Sequence, residues 1–216
     1  NALVTLLHSL PSLEKLDAYH NYIMSAGLST IGEYLEKPNV LVELDLSYND
    51  ICDVKFGDYR DEGITALTKA LKTNIRLQHL NLEGNSIMDD GCFILSSAFE
   101  EGNNCSIASL NLKGNAIGCI GATRLAKMLE NNKSLQSINL SDNEICGINK
   151  YGDGVFNISG IQGISKALKS NDTLSAVCLI RNSISDDGFE MLKEAKQSTS
   201  TVRSFCGLSE GQRLGN

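Results

Sequence analysis

One frame recurs along this chain and constrains its fold more than any other feature. Leu41, Leu44, Leu46, Asn49 and Ile51 fall in the spacing L-x-x-L-x-L-x-x-N-x-I. The spacing returns at Leu77–Ile87, Ile107–Ile117, Leu135–Ile145 and Leu174–Ile184, and at Leu13–Ile23 with Ala18 in the third apolar place. A seventh start, Val202 and Phe205, fades out. Successive starts lie 28, 36, 30, 28, 39 and 28 residues apart, so the base period is 28. A fixed period of this kind marks a stacked architecture: one unit cannot bury its own apolar face, and its neighbours do so.

Within a unit, the L-x-L alternation predicts a short strand with one face buried. The Asn stands where the chain leaves the strand, and its amide can satisfy turn backbone inside the core. Stacked, Asn21, Asn49, Asn85, Asn115, Asn143 and Asn182 are expected to form an internal, structural ladder. A Gly follows six residues past the Asn at Gly27, Gly91, Gly121 and Gly188. Apolar residues at helical spacing come next, as in Ala122, Leu125, Ala126 and Leu129. Each unit therefore reads as strand, turn, helix and return.

These repeats resemble the leucine-rich repeats of the ribonuclease-inhibitor-like class, which also supplies the repeat regions of Ran GTPase-activating proteins and NOD-like receptors. The resemblance runs from about residue 3 to about residue 205. It implies an α/β solenoid, a horseshoe with a parallel inner sheet and outer helices, binding on its concave face and adjoining loops. The shared residues are core residues, so the resemblance speaks for fold more than for function. No nucleotide-binding module is matched, and no GTPase-activating residue is carried over. Residues 1–205 are expected to form one domain of about seven units, with 206–216 a degenerate tail. The opening NALVTLLHSL reads as the helix of an earlier unit, so the array is expected to continue upstream.

Two units are long. ICDVKFGDYRDEGI (51–64) and ICGINKYGDGVFNISGI (145–161) add 8 and 11 residues between the Asn and the Gly. Both carry Lys, an aromatic, Gly and Asp, and flanking segments match at an offset of 97, which points to duplication of a three-unit block. The inserts must loop out at one rim, where length costs little closure entropy. Asp53, Asp58 and Asp61 suggest a calcium loop, but Lys55 and Phe56 break the required alternation, so no metal is expected. Phe56 and Tyr151 are candidate contact residues, against the plainer reading of a tolerated surface loop.

The positions flanking the strand leucines should face the groove. The first three units place Asp17, Tyr19, His20, Glu43, Asp45, Tyr48, His79 and Glu83 there, while the middle units read as small and neutral. Tyrosines ringed by carboxylates suit a basic peptide or protein surface, against the plainer reading of a solvated sheet face. His20 near Asp17, Asp45 and Tyr48 could be drawn as an acid–base group, but no nucleophile or phosphate loop accompanies it.

Composition narrows the partners. The net charge of −7 disfavours nucleic acid and anionic membranes, which need cations to release counterions. The seven cysteines are odd in number and form no C-x-x-C pair, so they read as reduced thiols of a cytoplasmic protein. Five N-x-S/T sequons carry little weight in so Asn- and Ser-rich a repeat. No signal peptide or membrane-length apolar run is visible. The expected function is a non-catalytic protein–protein interaction scaffold without cofactor, binding through its concave face and rim loops. The alternative is a regulator of an enzyme, a small-GTPase activator or a hydrolase inhibitor, and an enzyme in its own right comes third.

Overall fold

The computed structural model describes residues 5–7, 9–54, 59–100, 103 and 105–206. Among these described residues, seven three-residue strands form one parallel sheet in sequence order. They are β1 Lys15–Asp17, β2 Glu43–Asp45, β3 His79–Asn81, β4 Ser109–Asn111, β5 Ser137–Asn139, β6 Ala176–Cys178 and β7 Ser204–Cys206. Helices α1 Met24–Leu35, α2 Glu62–Leu71, α3 Met88–Ser96, α4 Cys119–Asn131, α5 Ser159–Ser170 and α6 Asp186–Gln197 return the chain between them. A 3₁₀ turn, Ser97–Phe99, extends α3. The register is in step throughout: Leu16, Leu44, Leu80, Leu110, Ile138, Val177 and Phe205 pair in succession. This is an α/β leucine-rich repeat solenoid.

The core lies between sheet and helices. The strand-centre residues from Leu44 to Val177 are buried, as are Leu46, Leu82, Leu112, Leu140 and Leu179 two positions on. Helix faces close it with Ile64, Leu67 and Leu71 on α2 and Ala122, Leu125 and Leu129 on α4. The repeat spacing thus becomes one continuous apolar layer shared by adjacent units.

After each strand the chain must turn sharply. The residue before each ladder asparagine is left-handed: φ is 56° at His20, 57° at Tyr48, 69° at Gly84, 65° at Gly114, and 55° at both Asp142 and Arg181. Such a conformation costs an L-residue roughly 1–2 kcal/mol. The asparagines offset this by satisfying the turn. Asn85 Oδ1 accepts from Asn49 N at 2.8 Å, and Asn115 Oδ1 accepts from Asn85 N at 3.0 Å and Ile87 N at 3.3 Å. Asn143 Oδ1 accepts from Asn115 N and Ile117 N at 2.9 and 3.0 Å. Asn182 Oδ1 accepts from Ile145 N at 3.3 Å. Each bond joins one unit to the next. Asn21, by contrast, is exposed and donates only to Tyr19 O, because no described strand precedes β1 for it to serve.

A second asparagine series, not expected from the frame, ties the helix ends to the strands. Asn74, Asn132 and Asn171 each precede a strand leucine by three residues, and each accepts from that leucine's backbone N–H. Their amides donate to the preceding unit, as Asn74 does to Leu35 O and Asn171 to Leu129 O.

Candidate concave binding face and rim cleft

The groove-facing positions gather into two neighbouring features. At the start of the sheet stands an aromatic cluster. Tyr19 packs edge-on against Tyr48, centroids 5.7 Å apart at 80°, and also meets His20, whose ring meets Tyr22 at 5.5 Å. Tyr19 and Tyr22 remain 55% and 58% exposed, an unusual amount of aromatic surface for side chains that already pack together. Carboxylates border the cluster. Asp17 accepts only from Tyr19 N, and Asp45 accepts from Ser47 and Asn81, so no described cation neutralises either. Glu43 pairs with Lys15 at 2.7 Å; that hydrogen bond and charge hold its carboxyl below the ordinary value.

The drawn acid–base group does not assemble. His20 is joined to its neighbours by ring contacts, and no hydrogen bond links it to Asp17 or Asp45 among the described residues. His79 stands beside Glu43 on β3, its register partner, outside the aromatic cluster.

A charged rail runs along the turns that follow β3 to β6, where the sequence read as small and neutral. Tyr48 Oη donates to Glu83 at 2.8 Å, Asn111 donates at 3.1 Å, and Lys113 Nζ lies 2.8 Å away. Burial alone would raise the Glu83 pKa; the hydrogen bonds from Lys113, Tyr48 and Asn111 outweigh it and hold the carboxyl low. Lys113 also reaches Asp142 at 3.8 Å, and Asp142 meets Arg181 at 2.5 Å. The signal was present in the alternating signs of Glu83, Lys113, Asp142 and Arg181 in successive units.

The second insert closes over this rail. Ile148 and Gly154 form an antiparallel bridge, and Asn149 caps the tip by accepting from Tyr151 N and Asp153 N, both at 2.9 Å. The two strands of this hairpin touch so closely that a Cβ at Gly154 would lie 2.0 Å from Gly147 O. Gly154 has φ +127°, which a side chain rarely adopts. The tip displays Tyr151, 78% exposed, with Lys150 Nζ 5.1 Å from its ring centroid, and Val155 and Phe156 follow in the open. Between the hairpin and the turns that follow the strands lies a cleft of about 670 Å³ lined by Tyr48, Glu83, Lys113, Asp142, Glu144, Lys150 and Arg181, among others. The structure therefore brings Tyr48 and Glu83 into one cleft with the insert that carries Tyr151. Phe56 lies outside the described residues.

At the described ends of the first insert the side chains turn inward. Asp53 turns inward and accepts from Ser25 N at 3.0 Å, serving the first turn of α1. Tyr59 also packs inward, its hydroxyl donating to Ile87 O at 3.2 Å. Its hydroxyl shares a hydrogen bond with Cys52, whose thiol burial pushes up to about 12. Cys52 is thus a structural thiol.

The repeat frame, the in-step parallel sheet and the asparagine series meet in one family. A model of the leucine-rich repeat matches residues 37–54, 73–95, 103–126 and 131–145. The chain carries leucine-rich repeats, and its relatives are consistent with the ribonuclease-inhibitor-like class. This leucine-rich repeat chain is 27% identical over 217 residues to human NACHT, LRR and PYD domains-containing protein 14, covering 90% of this chain and 19% of that one. It is 26% identical over 196 residues to the ribonuclease inhibitor of Sus scrofa, covering 90% of this chain and 39% of the inhibitor. It thus spans well under half the length of these relatives. The solved structure titled Leiomodin-1 Actin-Binding Site 2 shares the fold, with a TM-score of 0.59 and 18% identity over 77% of this chain and 86% of that one. Leucine-rich repeat domains generally mediate protein–protein interaction. Among the described residues no helix is long and apolar enough to cross a membrane, and no group of His, Cys, Asp or Glu is arranged to hold a metal ion.

Proposed function

We propose that this chain is a non-catalytic interaction scaffold that grips a protein partner with a basic surface along β1–β3 and the adjoining rim hairpin. The carrying observation is the exposed cluster of Tyr19, His20, Tyr22 and Tyr48 beside Asp17 and Asp45, two carboxylates without a described cation partner. Aromatics exposed in a cluster supply rigid contact area at small entropic cost, and bordering carboxylates steer and orient a cationic partner. Glu43, His79 and Glu83 extend the acidic and polar rim of that patch, and Tyr151 projects a second anchor from the hairpin. All seven cysteines are free, which supports a reducing, cytoplasmic setting.

The test is affinity capture from a cell lysate with the parent chain and with a Tyr19→Ala, Tyr48→Ala, Glu43→Lys variant of matched urea midpoint. The reading requires a basic partner that the parent retains, the variant releases, and rising salt weakens. An identical partner set for both chains refutes the patch.

A second reading has its own support. Relatives named ribonuclease inhibitor align over 90% and 88% of this chain. If the chain regulates a hydrolase, adding it must lower ribonuclease turnover in a steady-state assay; unchanged turnover at saturating chain discards that reading.

A further inference from the structure

Of the seven cysteines, Cys119, Cys178 and Cys206 are partly exposed. Cys52, Cys92, Cys105 and Cys146 are buried, and burial pushes Cys105 and Cys146 up to about 11. Such thiols present little thiolate and little access. Cys178 and Cys206 differ in access and in pairing, although the hydrogen bond from Cys178 and burial raise the Cys206 thiol too. They are register partners on the adjacent parallel strands β6 and β7. Val177 and Phe205, the residues before them, pack toward the core, so both thiols leave the sheet on the face opposite the core, each partly exposed. The Cys206 thiol shares a hydrogen bond with the Cys178 side chain, and Cys178 Sγ accepts from Ser141 Oγ at 3.1 Å. Neighbouring strands lie about 4.7–4.9 Å apart. A disulfide accepts Cα separations of about 4.4–6.8 Å. Arg203 N and Ser204 N donate to Ser175 O and Leu179 N to Cys206 O, which holds the two cysteines side by side.

We propose that Cys178 and Cys206 form a reversible redox modification site, closed into a disulfide by a hydroperoxide, which staples the last strand of the sheet to its neighbour. The Cys178 thiolate attacks hydrogen peroxide, taking one oxygen to become a sulfenic acid and releasing hydroxide. The Cys206 sulfur then attacks the sulfenic sulfur; the S–S bond forms, the S–O bond breaks, and the thiol proton leaves with the departing hydroxide as water. The two sulfurs together lose two electrons, which reduce the peroxide to water. A dithiol reductant reverses the change by thiol–disulfide exchange. This site is independent of the aromatic patch, since it lies at the other end of the sheet.

The test exposes the native chain to limiting hydrogen peroxide, blocks free thiols by alkylation and maps the peptides by mass spectrometry. The proposal requires a peptide cross-linked between Cys178 and Cys206 while Cys52, Cys92, Cys105 and Cys146 remain alkylatable after unfolding. Dithiothreitol must abolish the cross-link. Backbone amide exchange of residues 204–206 must slow in the oxidised chain. In the Cys206→Ser variant, Cys178 must instead accumulate as a sulfenic acid trapped by a cyclic diketone. Recovery of Cys178 and Cys206 as separately oxidised or separately alkylated peptides, with no cross-link between them, overturns the proposal. So does an equal yield of cross-links to Cys119, a partly exposed thiol on another face.

Discussion

Asn115→Ala tests the account of what holds the units in register. Asn115 stands in the middle of the ladder and is fully buried. Its Oδ1 accepts from Asn85 N at 3.0 Å and Ile87 N at 3.3 Å, while its Nδ2 donates to Leu82 O at 2.9 Å and Lys113 O at 3.2 Å. The two carbonyls keep other partners, because Asn85 Nδ2 also donates to Leu82 O and Gly84 N to Lys113 O. The two amides keep none of comparable geometry. Leaving a buried donor unsatisfied costs about 1–3 kcal/mol, so the pair sets a loss of about 2–6 kcal/mol. Asn21→Ala at the exposed end removes one bond to Tyr19 O and should cost no more than about 1 kcal/mol. Urea unfolding followed by circular dichroism reads both, and hydrogen exchange at Asn85 and Ile87 locates the first. Equal losses for the two variants would refute the reasoning, because they would show that the ladder's worth does not depend on sealing buried amides between units.

Other expectations follow from single contacts. Asp89 on α3 accepts from Gly118 N at 2.7 Å and Gly121 N at 2.9 Å, capping α4 from the neighbouring unit. Asp89→Ala should lower stability by about 0.5–2 kcal/mol in urea, with faster exchange in the first turn of α4. Glu83, held below its ordinary value of 4.5, contributes stability that is fully present above that pH and is lost as pH falls through its lower folded value. Its carboxyl carbon should therefore titrate below 4.5 by NMR, and Lys113→Ala should move the midpoint upward; an unmoved midpoint removes Lys113 as a cause. Gly154→Ala should open the rim hairpin, seen as lost Ile148–Gly154 cross-strand contacts in NMR, with the urea midpoint little changed.

The fold was legible because its signal is redundant. The apolar frame of strands β2 to β6 appears in full five times, and each copy sets the same three-residue strand and the same buried asparagine. The second asparagine series, three residues before Leu77, Leu135 and Leu174, sits on the return path and outside the apolar frame, so the frame does not announce it. The candidate site was only half legible. Sequence spacing assigns Tyr19, Tyr48 and Glu83 to the groove because strand alternation is local. It does not say that Lys113 reaches both Glu83 and Asp142, since side-chain length and the turn at each left-handed residue decide that reach. Nor does spacing alone reveal that an insert folds back over the groove rather than away from it.

The two inserts show how little sequence separates those outcomes. Aligned on Lys55-Phe56-Gly57-Asp58 and Lys150-Tyr151-Gly152-Asp153, the next residue is Tyr59 in one and Gly154 in the other. Gly154 lets two backbones meet within a distance that no Cβ tolerates, so the second insert closes on itself as a hairpin and leaves its apolar residues outside. Tyr59 carries a ring that cannot take that position. It packs against the core, gives its hydroxyl to Ile87 O and Cys52, and draws its end of the insert down onto the solenoid. The likeness of the two inserts points to duplication, while this one position separates an end drawn onto the solenoid at Tyr59 from a hairpin that leaves Tyr151 exposed. Removal of the rim hairpin should change partner capture while leaving the urea midpoint of the repeat in place.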